Sequence, residues 1–394
     1  MKFSEIEEVI DSYIEEVICF RRDLHEYPEL GGEEKRTPLK VLEALRRLPL
    51  EIKENVGANG IVANLFGNEK TGNKKTILIR GDMDALPIQE ENDLPFISKN
   101  KGVMHACGHD GHTAQLLGAL KILNEMKDKI KGKIRFAFQP AEEVGEGSIK
   151  MIQEGVLKGV DSAFTIHLWG DLPVGKVSIE PGPRMASADN FEIRIIGKGG
   201  HGSMPHQCID PIIVGSTIVT TIQSITSREV NPNESVVITV GSFNAGNTHN
   251  VISNEANLKG TSRCFNNELR KEVPEKIERI VRNVCDAYRA RYIMNYDFYP
   301  APVINDEKCS KIARNSVIKL LGKEGIERLE KVTTAEDFSG YLRKVPGMLA
   351  FVGVKNPEKS CIYPHHHPKF NLDEDALEIG TALYAQYAID YLNN

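Results

Sequence analysis

The 394-residue sequence has no uninterrupted apolar run near the roughly 18 residues that a membrane-spanning helix needs. Nor does it have an excess of positive charge. Its 49 Lys and Arg stand against 55 Asp and Glu, a formal net charge of −6. That balance argues against a partner gripped mainly through its phosphates, so neither nucleic acid nor membrane is expected. Cysteine is sparse and odd in number, at seven, and a chain this long needs no staples, so a disulfide framework is not expected. The opening MKFSEIEEVIDSYIEEV carries too many glutamates for the apolar stretch of a secretory signal. We therefore expect a cytoplasmic, enzyme-sized protein. Short repeats and low-complexity tracts are also missing. What is present is an ordinary globular balance, 41% apolar and 26% charged, with length for two or three domains or for one long domain with an insertion.

Apolar periodicity predicts an amphipathic helix over 4–26, where Ile6, Ile10, Tyr13, Ile14 and Val17 recur at helical spacing and Tyr27-Pro28 ends the run. TILIR (76–80), KIRFAFQ (133–139) and SAFTIHL (162–168) read as buried strands, with a helix over 111–127 between the first two. Such alternation predicts a mostly parallel α/β sheet, whose chemistry gathers at the carboxyl ends of its strands. The texture changes near 181–187. Strand 191–196, helix 210–228, strands 235–243 and 256–265, helix 270–291 and strand 292–299 give a β-α-β-β-α-β order, that of a small ferredoxin-like α+β domain. After it come further helices and a strand at 347–354. We expect residues 1–183 and 300–394 to form one α/β domain, into which 184–299 is inserted.

Histidine is the strongest chemical signal. Ten of the eleven follow residue 100, mostly in short clusters. MHACGHDGH (104–112) sets Cys107 and His109 two apart in a Gly-rich turn, and thiolate with imidazole suits zinc and related ions. Such a pair needs distant partners to hold an ion. QPAEE supplies Glu142 and Glu143 straight after a strand. In extended backbone they would point to opposite sides, one toward a metal and one toward a water; a solvated acidic loop is an equal reading of that segment alone. His167 ends an apolar strand, and His366 lies within PHHHPKF, bracketed by Pro364 and Pro368. Asp82 and Asp84 alternate after TILIR, where a carboxylate orients a metal-binding imidazole or simply ends a strand. His201 sits in the Gly-rich GKGGHGSMPH. GNTHNVIS and GTSRCF add Asn250 and Arg263, a guanidinium that takes a carboxylate bidentately or forms a surface ion pair.

Together these segments resemble the M20 metallopeptidase family, in its amidohydrolase branch of aminoacylases, hippurate hydrolases, auxin-conjugate hydrolases and N-acetyldiaminopimelate deacetylases. RRDLHEYPELGGEE, RGDMDALP, HACGHDGHTA, QPAEE, HLW, GKGGHGSMPH, NVIS, AEDF and HHPKF run in family order from residue 21 to 370; NVIS departs from the usual NVIP. The resemblance implies a mostly parallel-sheet metallohydrolase domain with an inserted lid and dimerisation domain, hence a homodimer. It implies two divalent metal ions per subunit, Zn²⁺ first by the thiolate and Mn²⁺, Ni²⁺ or Co²⁺ as alternatives, held by Cys107, His109, Glu143, His167 and His366. Cys107 takes a bridging place that many relatives give to Asp. Glu142 is the implied general base, His201 the imidazole that reaches the partner subunit's site, and Asn250 and Arg263 bind substrate with it. Outside this branch the family has His-x-Asp where this chain has Asp82-Met83-Asp84, so Asp84 keeps an orienting role with a different imidazole. The implied reaction is hydrolysis of an N-acyl amino acid. A dipeptidase or carboxypeptidase using the same site is the alternative, and a pure binding protein has no use for Glu142.

Overall fold

In a computed structural model, which describes residues 5–68, 72 and 75–394, the chain divides into two compact units. The first comprises 1–182, 304–330 and 337–394, and the second 183–303 with 331–336. The expected boundaries, 184–299 for the insertion, give 331–336 to the other unit. Those six residues join the insertion because the backbone of Ala186 donates to Val332 O and Thr334 O (3.2 and 2.9 Å), and that of Val332 to Arg184 O (2.9 Å).

Seven strands make the sheet of the first unit. In spatial order they are Glu51–Val56, Gly60–Phe66, Lys133–Gln139, Thr76–Asp82, Ser162–Pro173, Gly347–Lys355 and Val177–Ser178. The middle four run parallel, and the outer strands on both sides are antiparallel. The sheet is therefore mixed, with its parallel part at the centre. Short connections make this possible. Antiparallel neighbours need only a hairpin, as Val56 to Gly60 has, whereas parallel ones need a helical crossover. All seven positions of Thr76–Asp82 are buried, as a strand covered on both faces requires. Ile77, Ile79, Ile134, Phe136, Phe138 and Phe164 form the core with the helices His109–Glu125 and Asp375–Asn393. Each such side chain contributes about 1.5–3 kcal/mol on burial.

The amphipathic N-terminal helix is broken. Glu5–Ile10 and Ile14–Glu26 are separate, with the turn closed by Tyr13 N–H on Ile10 O (2.8 Å). Ser4, where the expected helix begins, lies outside the described residues. Cys19 is exposed and the other six cysteines are buried, all as free thiols. No helix among the described residues is long and apolar enough to cross a membrane.

The second unit carries a four-stranded antiparallel sheet in the order Val236–Ala245, Glu255–Cys264, Asp189–Ile196, Arg291–Phe298. The helices Pro211–Ser224 and Asn267–Tyr288 cover it, through Val214, Ile218 and Ile222 on one and Val273, Ile277 and Val281 on the other. With the first strand in sequence counted as one, the order is 2-3-1-4, which places the first and third strands in the middle.

Candidate functional site

The carboxyl ends of the central parallel strands bring together residues far apart in sequence. Asp82 ends Thr76–Asp82, and Asp84 follows it. Met83 N–H bonds to Gln139 O (2.9 Å), tying that end to the start of the QPAEE turn. Gly108, at φ +86, turns the chain between Cys107 and the helix beginning at His109. Only glycine adopts that conformation freely, so the turn that lets sulphur and imidazole converge depends on it.

Cys107 Sγ and one ring nitrogen each of His109 and His167 lie within 4.8 Å of one another. Cys107 Sγ also lies within 4.8 Å of a Glu143 oxygen and a His366 ring nitrogen, which are likewise that close to each other. Two three-donor groups thus share one sulphur. The rings are held by one nitrogen each, so that the other faces inward. His167 Nδ1–H donates to Leu168 O (2.8 Å), and its Nε2 lies 3.7 Å from the sulphur. His109 Nδ1–H donates to Asp84 Oδ1 (3.2 Å), leaving Nε2 3.8 Å from Glu143 Oε1 and 4.0 Å from Glu142 Oε2. Asp84 Oδ2 accepts from Glu143 N–H (2.9 Å), so one carboxylate braces both a candidate ligand ring and the next turn. Within the His triplet, His366 is the member facing Glu143, Nε2 to Oε1 3.6 Å. It holds a strained φ of +63, pinned by its N–H on Ala106 O (2.9 Å). His365 instead donates to Leu168 O (2.9 Å), and His367 stacks on Tyr363.

These donors fit a cation. His109 Nε2 and Glu143 Oε1 are buried with no hydrogen-bond partner, although each faces other donors at 3.6–4.0 Å. That spacing is too long for hydrogen bonds. Burial, with Glu143 beside it, pushes the Cys107 thiol well above its ordinary range, and burial raises Glu143 to about 7. Burial, with His112 beside it, holds His167 well below its ordinary range, and burial also lowers His366. His109 goes the other way: burial opposes its charge, but Asp82 and Cys107 beside it raise it well above its ordinary range. A divalent ion would take the place of that proton among the acids, and the thiolate and imidazoles favour a borderline ion such as Zn²⁺.

Glu142 and Glu143 do not sit on extended backbone. Ala141 has a φ of +58, and the two glutamates follow in a turn, closed by Gly145 N–H on Glu142 O (2.7 Å). The turn still separates their roles. Glu143 faces His366, whereas Glu142 Oε1 accepts from Asp337 N–H (3.2 Å).

Three residues with no role assigned from sequence complete the arrangement. His112 Nδ1–H donates to Asp82 Oδ1 (2.6 Å), and its Nε2 accepts from Leu168 N–H (2.8 Å), so this ring joins one carboxyl end to the strand bearing His167. Asp82 Oδ2 is taken by Arg80 Nη1 (2.5 Å), a cation already in place, which suits Asp82 to support rather than to ligation. Arg80 also bonds to Asp337 (2.8 Å), whose carboxylate accepts from Gln139 and from Ser148 N–H. The signal for Asp337 lay in the AEDF segment; nothing in the spacing singled out His112 as a brace.

The second unit holds the other three expected residues. His201 is exposed and pairs with Val251 in a two-stranded ladder. Its Nδ1 accepts from Ser203 N–H (3.1 Å), which puts the proton of the neutral ring on Nε2 as a donor. Asn250 O accepts from Gly202 N–H (2.8 Å), so the His201 and Asn250 loops meet. Arg263 is half-buried on Glu255–Cys264, with Nη1 donating to Ser262 O (3.0 Å) and to the Thr261 hydroxyl.

Residues 78–390 match the model of peptidase family M20/M25/M40. The chain is 42% identical over 382 residues to thermostable carboxypeptidase 1 of Saccharolobus solfataricus, covering 96% of this chain and 95% of that one. It is 45% identical over 332 residues to the N-acyl-L-amino acid amidohydrolase of Geobacillus stearothermophilus, covering 84% and 89%. The crystal structure of the Bacillus subtilis YXEP protein, described as a dinuclear metal binding peptidase from the M20 family, superposes with a TM-score of 0.86 at 36% identity, over 97% of this chain and 99% of that one. By family match, by identity across nearly its whole length and by fold, this chain belongs to peptidase family M20.

Proposed function

We propose that this protein is a metal-dependent hydrolase that cleaves the amide bond of N-acyl amino acids to a carboxylate and a free amino acid. The observation that carries the reading is a pair of three-donor groups sharing Cys107, with Glu142 held beside them by Asp337 N–H. The relative named N-acyl-L-amino acid amidohydrolase supports the substrate class. In this reading Cys107, His109 and His167 hold one divalent ion, and Cys107, Glu143 and His366 the other. The thiolate favours Zn²⁺, with Mn²⁺, Ni²⁺ or Co²⁺ as alternatives set by availability. Bound there, the ions polarise the amide carbonyl and make water more acidic.

Glu142 takes a proton from water as the water oxygen bonds to the carbonyl carbon and the carbonyl π bond opens. It then gives that proton to the amide nitrogen as the C–N bond breaks. Asp84 keeps His109 oriented throughout. The inserted unit is the lid and dimerisation element of a homodimer. His201 Nε2–H donates to the carbonyl oxygen in the partner subunit's site, while Asn250 and Arg263 take the substrate carboxylate. The free thiols suit the cytoplasm.

The thermostable carboxypeptidase relative favours a second reading, peptide hydrolysis at the same centre. Steady-state rates on N-acetyl amino acids and on free dipeptides, measured with and without a chelator, separate the two. We expect chelator-sensitive turnover of N-acetyl amino acids with kcat/KM at least about tenfold above that on dipeptides. The reverse order assigns the peptidase, and full activity in chelator overturns both. The trans role of His201 predicts complementation: a 1:1 mixture of His201→Ala and Glu142→Ala subunits regains up to about a quarter of wild-type activity, from heterodimers with one competent site each, though each variant alone is nearly inactive. No recovery on mixing overturns that role.

A further inference from the structure

The segment PELGGEE (28–34) has no part in the reaction above, yet it lies against the turn that presents Glu142 and Glu143. Glu34 is fully buried, and its Oε1 accepts from Ala141 N–H at 2.8 Å. Ala141 is the residue held at φ +58, a conformation that L side chains adopt rarely and only when neighbours enforce it. Its carbonyl is already bound from the far side, by Glu146 and Gly147 N–H (3.3 and 3.0 Å). Glu34 therefore supplies the opposite hold on the one residue whose backbone sets where the two glutamates go.

The segment is itself anchored. The Glu29 carboxylate accepts from the N–H groups of Lys35, Arg36 and Thr37 (3.0, 2.9 and 2.8 Å), and Glu29 O accepts from Ala85 N–H (2.8 Å). Between the two glutamates, Gly31 passes so close to Asp84 that a Cβ there would lie 2.8 Å from Asp84 Oδ2, the oxygen that accepts from Glu143 N–H. The loop thus meets the turn at two points, Ala141 directly and Glu143 through Asp84.

We propose that Glu34 is a positioning residue for the hydrolytic centre, fixing the left-handed turn at Ala141 so that Glu143 completes its donor group and Glu142 stays beside it. This rests on the roles given to Glu142 and Glu143 above. The Cys107–His109–His167 group takes no donor from the turn and touches it only through Asp84, so loss of Glu34 weakens the other ion selectively.

The test is Zn²⁺ competition against a chromophoric chelator, with kcat and KM, for wild type, Glu34→Ala, Glu34→Gln and Glu143→Ala. Glu34→Ala is expected to keep one ion at wild-type affinity, to bind the other about 10–100-fold more weakly, and to lose kcat by a similar factor with KM within about twofold. Glu34→Gln retains an acceptor oxygen for Ala141 and is expected to restore both readouts to within about threefold. Two ions at wild-type affinity in Glu34→Ala, or equal weakening of both, overturns the proposal. If Glu34→Ala does not fold, Glu34→Asp, shorter by one methylene, is judged by the same criteria. Glu143→Ala must lose the same ion that Glu34→Ala weakens. If Glu143→Ala keeps both, the assignment of Glu143 falls, a result distinct from failure of Glu34 alone.

Discussion

Glu142→Gln is expected to retain two metal ions per subunit and to lose about 10²–10⁴-fold in kcat/KM, the range a positioned general base contributes. Glutamine is close to isosteric, and its amide oxygen still accepts from Asp337 N–H, as Glu142 Oε1 does at 3.2 Å. The side chain is only 10% exposed, so the amide stays where the carboxylate was. On the proposed mechanism, what goes is the ability to take a proton from water and return it to the leaving amine. Unfolding stability should change by less than about 1 kcal/mol, because the amide keeps the bond from Asp337 N–H. Kinetics with metal analysis on the same preparation checks the result. Near-normal turnover in that variant removes Glu142 from its role.

Cys107→Ala carries the other large expected effect, because both donor groups use the same sulphur. Losing a residue that merely orients a ligand costs about 10–100-fold in metal affinity or activity, so losing a shared donor should exceed that for both ions together. Cys107→Asp restores a negatively charged donor at the bridging place and should recover part of the binding and turnover. Metal titration of the three proteins is the measurement. A Cys107→Ala protein that holds two ions at wild-type affinity contradicts the shared-donor arrangement.

Much of this was legible in the residues because the signals were local. Continuous apolar runs marked the central strands, and the change to alternating FEIRII marked the inserted unit. The Cys-x-His pair and the paired glutamates stood out because such residues are costly to bury without a purpose. The triplet at 365–367 shows the limit. Proline brackets identify the segment, but it is the φ of +63 at His366 and its bond to Ala106 that turn that ring toward Glu143.

What stayed hidden came from pairings between distant elements. His112 has the same local setting as His109, and only the approach of Leu168 N–H to its ring makes it a brace. Asp82 and Asp84 look alike in RGDMDALP. Arg80, from its own strand, takes one, and His109, from the next helix, takes the other. Extended backbone at Glu142 and Glu143 was the simplest expectation after a strand, and the left-handed Ala141 overrides it with support from Glu34, more than a hundred residues earlier. The outer strands Glu51–Val56, Gly60–Phe66 and Val177–Ser178 carry no expectation from the sequence at all, and period and composition would mark a strand but not its antiparallel direction.

Anomalous diffraction at the metal absorption edge, from crystals of the Zn²⁺-loaded protein, tests the dinuclear centre most directly. Two peaks are expected on either side of Cys107 Sγ, one bounded by His109 and His167 and the other by Glu143 and His366. A single peak between Asp82 and His112, or two peaks that do not share the sulphur, would contradict it.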